Sequence, residues 1–289
     1  MMKSNTDIFY KSHDGLELYA RDYGKASARH TLLCMHGLTR NSKDFHNLAL
    51  LYQDKFRVIS VDQRGRGKSQ YDSYSDNYRP DIYCQDMFSL IKHLGLDNII
   101  AIGTSMGGMM AMMMAAMRPG MFKGVILNDI GPVVEPAGLK RIQGYVGGLG
   151  PFKNWYEAQQ SLRAQGPTVF PKYTNTDWEQ FAKRTCELRE DGLIHFAYDT
   201  AIAKAVKMEN TNAVPSDLWQ IYSTLGETPV VTLRGEISDI LSLHTLEKMQ
   251  SCLPNCQTAI IPDVGHVPTL DEPDSLAAMD TFLGQFNDK

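Results

Sequence analysis

The sequence predicts an α/β domain: a mostly parallel sheet of about eight strands flanked by helices, with a helical insertion. The main observation is that short apolar runs alternate with helical patterns through residues 30–131 and again from residue 228. A composition of 43% hydrophobic and 21% charged residues is typical of a folded globular chain. At 289 residues the chain is long enough for one large core.

The predicted elements follow one another in a regular order. Residues 7–24 alternate in polarity around a His-Asp-Gly turn, which is typical of an antiparallel hairpin. Later strand candidates are residues 30–37, 56–62, 98–105, 124–131, 228–236 and 257–266, and helix candidates lie near residues 43–55, 81–94, 106–117 and 242–251, with a last helix from about Pro273. Strands separated by helices indicate crossover connections.

From about Pro132 to Pro215 this alternation stops. Stretches such as "FKNWYEAQQSLRAQ" are helix-like and aromatic, with no strong strand between them. We therefore expect a helical cap at residues 132–215, inserted into a core domain formed by residues 1–131 and 216–289. Its aromatic residues are candidates either for lining a pocket or for packing against the core: Trp155, Tyr156 and Trp178.

The stretch Gly103-Thr104-Ser105-Met106-Gly107 is a G-x-S-x-G sequence between an apolar strand and a helix. A tight strand-to-helix turn holds its middle residue in a strained conformation, and the glycines let neighbouring backbone approach closely. Ser105 is thus a candidate nucleophile. The Met106 amide, at the start of the helix, is a candidate donor to a developing oxyanion.

Other interpretations of this stretch fit less well. No Lys-Ser or Lys-Thr pair follows the glycines, and the glycine spacing differs from that of a dinucleotide-binding fingerprint. The methionines after Ser105 indicate a helix packed on most of its sides. Five scattered cysteines, including Cys252 and Cys256, lack a second pair or a histidine cluster, so we expect free thiols and neither metal nor cofactor.

A serine nucleophile needs a base, and the base needs an orienting acid. His266, in a glycine-containing loop after the last strand, is the predicted base. Asp239 is the favoured acid because it ends the loop after the preceding strand and keeps the order Ser, Asp, His. Glu236 and Asp129 remain alternatives, and Asp239 could instead cap a helix.

The turn after an early strand, "CMHGLTR", offers the second oxyanion donor in the amide of Leu38. His36 in this turn could be mistaken for a base, but we expect it to bond backbone groups. In "VDQRGRGKSQ", we expect Asp62 and Arg64 to hold a tight loop, a structural role.

Charge and hydropathy exclude several function classes. A net charge of -4 gives no basic field for a nucleic acid. The longest apolar run, Met109–Met117, is far shorter than the about 18 residues of a membrane helix, and the first residues lack the apolar segment of a signal peptide. We expect a cytoplasmic protein without nucleic-acid or membrane partners.

Taken together and in this order, "CMHGLTR", "VDQRGRGKS", "GTSMGG", "LNDIGP", "RGEISD" and "DVGHVP" resemble the α/β-hydrolase fold superfamily, from near residue 8 to the C-terminus. The resemblance implies Ser105 as nucleophile, Asp239 as acid, His266 as base, Leu38 and Met106 as oxyanion-hole amides, and a helical cap after "LNDIGP". A serine at the elbow separates the chain from haloalkane dehalogenases and epoxide hydrolases, which use aspartate there. The chain is similar to carboxylesterases, enol-lactonases and meta-cleavage product hydrolases.

The resulting hypothesis is hydrolysis of a small carboxylic ester or lactone through an acyl-enzyme. One alternative is carbon–carbon bond hydrolysis of a vinylogous diketone, an acidic substrate that Arg40 or Arg141 could bind. Another is a ligand receptor on the same fold.

Overall fold

The computed structural model describes residues 5–166, 169–207 and 218–287. Its described strands are β1 (Thr6–Lys11), β2 (Glu17–Tyr23), β3 (Thr31–Met35), β4 (Arg57–Asp62), β5 (Ile99–Thr104), β6 (Phe122–Asn128), β7 (Cys186–Leu188), β8 (Ile194–Phe196), β9 (Val230–Gly235) and β10 (Cys256–Ile261). Eight of them form one sheet in the order β1-β2-β4-β3-β5-β6-β9-β10. The pairings β1–β2 and β2–β4 are antiparallel and the others parallel, so the predicted mostly parallel sheet of about eight strands is confirmed.

Helices cover both faces of this sheet. The described α-helices are α1 (His46–Tyr52), α2 (Pro80–Leu94), α3 (Met106–Met117), α4 (Pro136–Tyr145), α5 (Trp155–Gln165), α6 (Asn175–Thr185), α7 (Ile202–Lys207), α8 (Leu218–Ser223), α9 (Leu243–Cys252) and α10 (Pro273–Gly284). Along β5, Ile99 and Ala101 join the apolar cluster that contains α2, α3 and α9, whereas Ile100 and Ile102 join the cluster of α1 and α10. This strand alternation produces two cores, one on each face. No helix among the described residues is long and apolar enough to cross a membrane.

The chain leaves the sheet after β6 and returns to it at β9. The segment between them contains α4 to α8 and the antiparallel hairpin of β7 and β8. We expected no strong strand there, and each of these two strands has only three residues, too few to show a period-two pattern. The predicted end of the cap at residue 215 lies outside the described residues.

The methionine-rich helix α3 is packed on nearly all sides, as its sequence predicted. Met110, Met112 and Met114 are fully buried, and α8 supplies Tyr222 to the same cluster. A helix buried all round needs no polar face, which explains why the sequence shows no amphipathic stripe here.

The loop "VDQRGRGKSQ" is held by backbone hydrogen bonds to Asp62 and by ion pairs of Arg64. The Asp62 carboxylate accepts backbone N–H bonds from Ser42 (2.6 Å) and Lys68 (2.8 Å). Arg64 is fully buried and paired with three carboxylates, those of Asp86 (2.6 Å), Asp72 (2.7 Å) and Asp14 (2.9 Å). The predicted structural role of Asp62 and Arg64 is therefore confirmed.

Candidate active site

Ser105 lies at the turn between β5 and α3 in an unusual backbone conformation, with φ 52° and ψ -115°. Few side-chain-bearing residues adopt a positive φ, so the surrounding hydrogen bonds must hold the residue there. Its N–H donates to the carbonyl of Asn128 (3.0 Å), and its own carbonyl accepts from Gly108 (2.9 Å) and Met109 (3.1 Å). The turn thus fixes the serine at the end of the sheet.

The first and last residues of the motif, Gly103 and Gly107, must be glycines because other backbone atoms lie very close to them. A Cβ on Gly103 would lie 2.4 Å from the carbonyl oxygen of Gly107, and a Cβ on Gly107 would lie 2.0 Å from the carbonyl oxygen of Met35. Both distances are far inside van der Waals contact, so any larger residue would push the helix away from the sheet. The close approach that the sequence predicted is present.

His266 follows β10 and contacts the serine directly. Its Nε2 lies 2.9 Å from the Oγ of Ser105, within hydrogen-bond distance. The loop that carries it is tied to the sheet by Asn128, whose Nδ2 donates to the carbonyl of Pro268 (2.8 Å) and to the Oγ1 of Thr104 (3.1 Å). The structure thus brings Ser105 and His266 together, as the sequence predicted.

The carboxylate beside His266 belongs to Asp129, and the prediction of Asp239 was wrong. Asp129 Oδ2 lies 2.7 Å from His266 Nδ1, and the side chain is fully buried. The same carboxylate accepts bonds from the Gly235 N–H (3.0 Å) and the Ser238 hydroxyl (2.6 Å). Three donors converge on it.

The sheet register explains this choice of acid. Thr104 of β5 pairs with Asn128 of β6, so Ser105 and Asp129 each follow directly after paired residues at neighbouring strand ends. Asp239 lies farther along the loop after β9, where its two oxygens accept bonds from Arg141 Nε (2.6 Å) and Nη2 (2.7 Å). The Arg141 guanidinium holds the pKa of the Asp239 carboxyl below its usual value. Asp239 therefore ties α4 of the insertion to the core.

The remaining candidate acid, Glu236, also has another partner. Its carboxylate accepts the backbone N–H of Asp263 at 2.9 Å, a contact between the loops after β9 and β10. Glu236 therefore stabilises the loop that carries His266, at a point away from the contact between His266 and Ser105.

His36 is buried and bonded to backbone groups on both sides, which confirms its predicted role. Its Nε2 accepts the N–H of Gln63 (3.0 Å), so its Nδ1 carries the proton that is donated to the carbonyl of Gly37 (2.7 Å). Burial, and next the positive charge of Arg66, lower the pKa of His36 to about 3. The imidazole is therefore neutral and structural.

Acid should destabilise the fold through His36. The unfolded chain binds a proton there below about pH 6.5, whereas the folded chain does so only near pH 3. Because the unfolded state holds more protons in this window, stability is lost as pH falls from 6.5 towards 3. The contribution is at most about 1.4 kcal/mol per pH unit.

Urea unfolding between about pH 5 and pH 7.5, on the natural protein and on His36→Asn, checks this expectation. The free energy of unfolding of the natural protein should fall more steeply towards acid than that of the variant. Equal slopes would contradict a neutral buried His36.

The two predicted oxyanion-hole residues, Leu38 and Met106, are both near Ser105: one lines its cavity and the other follows it in the chain. Leu38 lines the same cavity as Ser105, and Met106 is the first residue of α3, where backbone N–H groups lack an intrahelical acceptor. Arg66, a buried residue that the sequence did not single out, contacts both. Its Nε donates to the carbonyl of Leu38 (3.0 Å), and its Nη2 lies 3.8 Å from the Met106 sulfur.

A cavity of about 140 Å³ opens over Ser105 and His266. The cavity is far larger than the space that one water needs, so a small organic molecule can enter it. Its walls come from both the sheet ends and the insertion, which contributes Trp178 among other apolar residues. Of the other two candidate aromatic residues, Trp155 packs against the core cluster and Tyr156 is mostly exposed.

One group of three potential metal ligands occurs among the described residues: His13, Asp14 and Asp86. Asp14 and Asp86 both bind Arg64, so the guanidinium already neutralises the charge that a metal ion would neutralise. None of the three lines the cavity at Ser105.

Comparison with known proteins finds similar hydrolases. The model of the protein family described as alpha/beta hydrolase fold matches residues 30–177. The chain is 30% identical over 270 residues to a 3-hydroxybutyrate-oligomer hydrolase from Cupriavidus necator, covering 91% of both chains. It is 26% identical over 253 residues to a 2-(acetamidomethylene)succinate hydrolase from Mesorhizobium japonicum, covering 87% of both. Among solved structures, an alpha/beta hydrolase from Novosphingobium aromaticivorans is similar, with a TM-score of 0.92, 39% identity, and coverage of 99% of this chain and 100% of that one.

Proposed function

Because the chain belongs to the alpha/beta-hydrolase fold family and is a hydrolase, we propose that it cleaves a small carboxylic ester or lactone through an acyl-enzyme on Ser105. One observation carries the proposal: an unbroken line of hydrogen bonds from the Ser105 hydroxyl through His266 to Asp129. A serine hydroxyl is a weak nucleophile at neutral pH, and this line supplies the base that it needs and the acid that orients the base.

The chemistry follows from the positions of these groups. Ser105 Oγ attacks the ester carbonyl carbon while His266 Nε2 takes the hydroxyl proton. The buried carboxylate of Asp129 stabilises the imidazolium that forms and keeps Nδ1 protonated. The backbone amides of Leu38 and Met106 hold the negative oxygen of the tetrahedral intermediate, and the dipole of α3 favours that charge.

The second half of the reaction uses the same groups. His266 returns its proton to the alcohol oxygen, the C–O bond breaks, and the acyl group stays on Ser105. A water molecule, deprotonated by His266, then attacks the acyl carbon; the bond from that carbon to Ser105 Oγ breaks, His266 returns the proton to Oγ, and the acid is released. The relative that is named for hydrolysis of 3-hydroxybutyrate oligomers, which are chains of a hydroxy acid, supports an ester as the bond attacked.

The test combines turnover with covalent labelling. Initial rates on p-nitrophenyl esters from acetate to octanoate should peak at a short acyl chain, because the cavity is small. A fluorophosphonate should stop turnover and add its phosphonyl mass to the peptide that contains Ser105.

Each rival function predicts a different result. A carbon–carbon bond hydrolase would be phosphonylated at Ser105 but would leave simple esters intact and cleave a vinylogous diketone. A receptor would show turnover slower than ligand binding by orders of magnitude. Ester turnover with labelling at a residue other than Ser105 would overturn the proposed mechanism.

A further inference from the structure

The cavity wall carries three arginines, and two of them already have carboxylate partners. Arg40 donates from Nε and Nη2 to Asp44, which also lines the cavity, and its guanidinium lies over the ring of Phe181. Arg141 donates from Nε and Nη2 to Asp239. The charges of these two arginines are therefore compensated inside the protein.

Arg184 is the third, and it has no such partner. It is half-buried near the end of α6 and lines the cavity. Its Nε is buried without a hydrogen-bond partner, and no described residue forms a hydrogen bond or ion pair with its guanidinium. A buried donor that has lost water without gaining an acceptor is unfavourable, and more so when it is charged.

The backbone of Arg184 is nevertheless fixed in place. Its carbonyl accepts the side-chain amide of Asn41 (2.9 Å), from the loop after β3. The next residue, Thr185, donates its hydroxyl to the carbonyl of Phe181 (2.6 Å) and is bonded by Arg40. The free guanidinium is therefore presented by a rigid segment that joins the insertion to the core.

The apolar surroundings of Arg184 strengthen an ion pair between its guanidinium and an anion in the cavity. Apolar side chains from the insertion line the same cavity, among them Leu162, Phe170, Trp178 and Phe181. An ion pair in such low-dielectric surroundings is stronger than one in water. Asp44 is within electrostatic reach of Arg184, but both of its oxygens are bonded to Arg40.

We propose that Arg184 is a carboxylate-binding residue, and that the ester cleaved at Ser105 carries a second, free carboxylate that pairs with its guanidinium. This rests on the proposed ester hydrolysis and narrows its substrate to monoanionic esters. Arginine matches a carboxylate with two parallel N–H bonds, which fixes both the position and the orientation of the bound acid. The carboxylate belongs either to the acyl part, as in a dicarboxylic acid monoester, or to the alcohol part, as in an acylated hydroxy acid.

The test compares acids with their neutral primary amides, which have nearly the same shape. Monoethyl adipate and its amide place the carboxylate on the acyl side, and 3-acetoxypropanoate and its amide place it on the alcohol side. We expect the natural protein to prefer the acid in one of the two pairs by roughly 10- to 100-fold in kcat/KM, the usual size of a charged hydrogen-bonded contact. The pair that shows the preference identifies the side.

Substitution at Arg184 locates the effect. Arg184→Met keeps the stem but removes the donors, and it should abolish the preference for the acid, mainly through KM. Arg184→Lys keeps the charge but not the paired donors, and it should retain part of the preference. Arg163→Met is the matched control: Arg163 on α5 bonds Asn175 outside this cavity, so its loss should leave the preference unchanged.

Failure of this inference is distinguishable from failure of the proposed function. If Ser105 is phosphonylated and the neutral amides turn over, but acid and amide react equally in the natural protein, only the carboxylate site is overturned. If no ester turns over, the proposed function fails as well. Should Arg184→Met not fold, the comparison of acid with amide on the natural protein decides the question alone.

Discussion

Replacing Ser105 with alanine is expected to lower kcat for ester hydrolysis by on the order of 10⁶-fold. In the proposed mechanism the Ser105 hydroxyl attacks the substrate, and without it His266 has no nucleophile to activate. The residual rate should come from the amides of Leu38 and Met106 and from substrate binding. The measurement is the initial rate on the best p-nitrophenyl ester, with enzyme concentrations high enough to detect slow turnover.

The same variant should remain folded, which makes the loss interpretable. Alanine keeps the Cβ, and the backbone bonds to Asn128, Gly108 and Met109 that hold the turn do not involve the hydroxyl. We expect loss of the hydrogen bond to His266 to lower the free energy of unfolding by about 1 kcal/mol, too little to unfold the protein. Substantial turnover by a folded Ser105→Ala protein would contradict the covalent mechanism.

Asp129→Asn is expected to lower kcat by on the order of 10⁴-fold, the usual effect of removing the acid of such a triad. Asparagine keeps the shape but replaces one oxygen with an NH₂ group. The carboxylate now accepts from His266, Gly235 and Ser238, and an amide cannot accept from all three. When the NH₂ group takes the position of Oδ2, the imidazole loses the bond that sets its tautomer.

Asp239→Asn is the matched control for this substitution. It removes the same charge from a neighbouring loop but leaves the bonds among Ser105, His266 and Asp129 untouched. The ion pair that Asp239 forms with Arg141 is partly exposed, and such pairs contribute about 1 kcal/mol or less to stability. Even if all of this free energy were lost from the transition state, kcat would fall less than about tenfold. A large loss in Asp239→Asn with a small loss in Asp129→Asn would restore Asp239 as the acid.

The sequence was sufficient to predict the sheet, its helices and the contact between Ser105 and His266. Strand and helix periodicities are local, and the glycine-flanked serine and the loop histidine each stand at the end of a strand that could be identified. The short hairpin of β7 and β8 was missed because three residues cannot establish a period.

The carboxylate beside His266 was missed for a different reason. Asp129 and Asp239 both satisfy the chain order Ser, acid, His, so that criterion could not separate them. The answer depends on which strand lies beside β5, and on the register that sets Asp129 level with Ser105. Strand order is a tertiary property.

The arginines illustrate the same limit. The sequence pointed to Arg40 and Arg141 as cations for an acidic substrate, but both are paired with aspartates. That Arg184 lines the cavity with a buried, unpartnered Nε is a property of the tertiary structure, which its sequence position does not indicate.

The pairing of β6 with β9 has a consequence for how the enzyme is made. Val125 lies beside Val230, about 100 residues later in the chain, and closing a loop of that length costs about 4 kcal/mol of chain entropy. The nucleophile turn and Asp129 come from consecutive strands, but His266 follows β10. We therefore expect a growing chain to carry an inert serine until its last strand has joined the sheet. Partly synthesised molecules would then lack the proposed esterase activity.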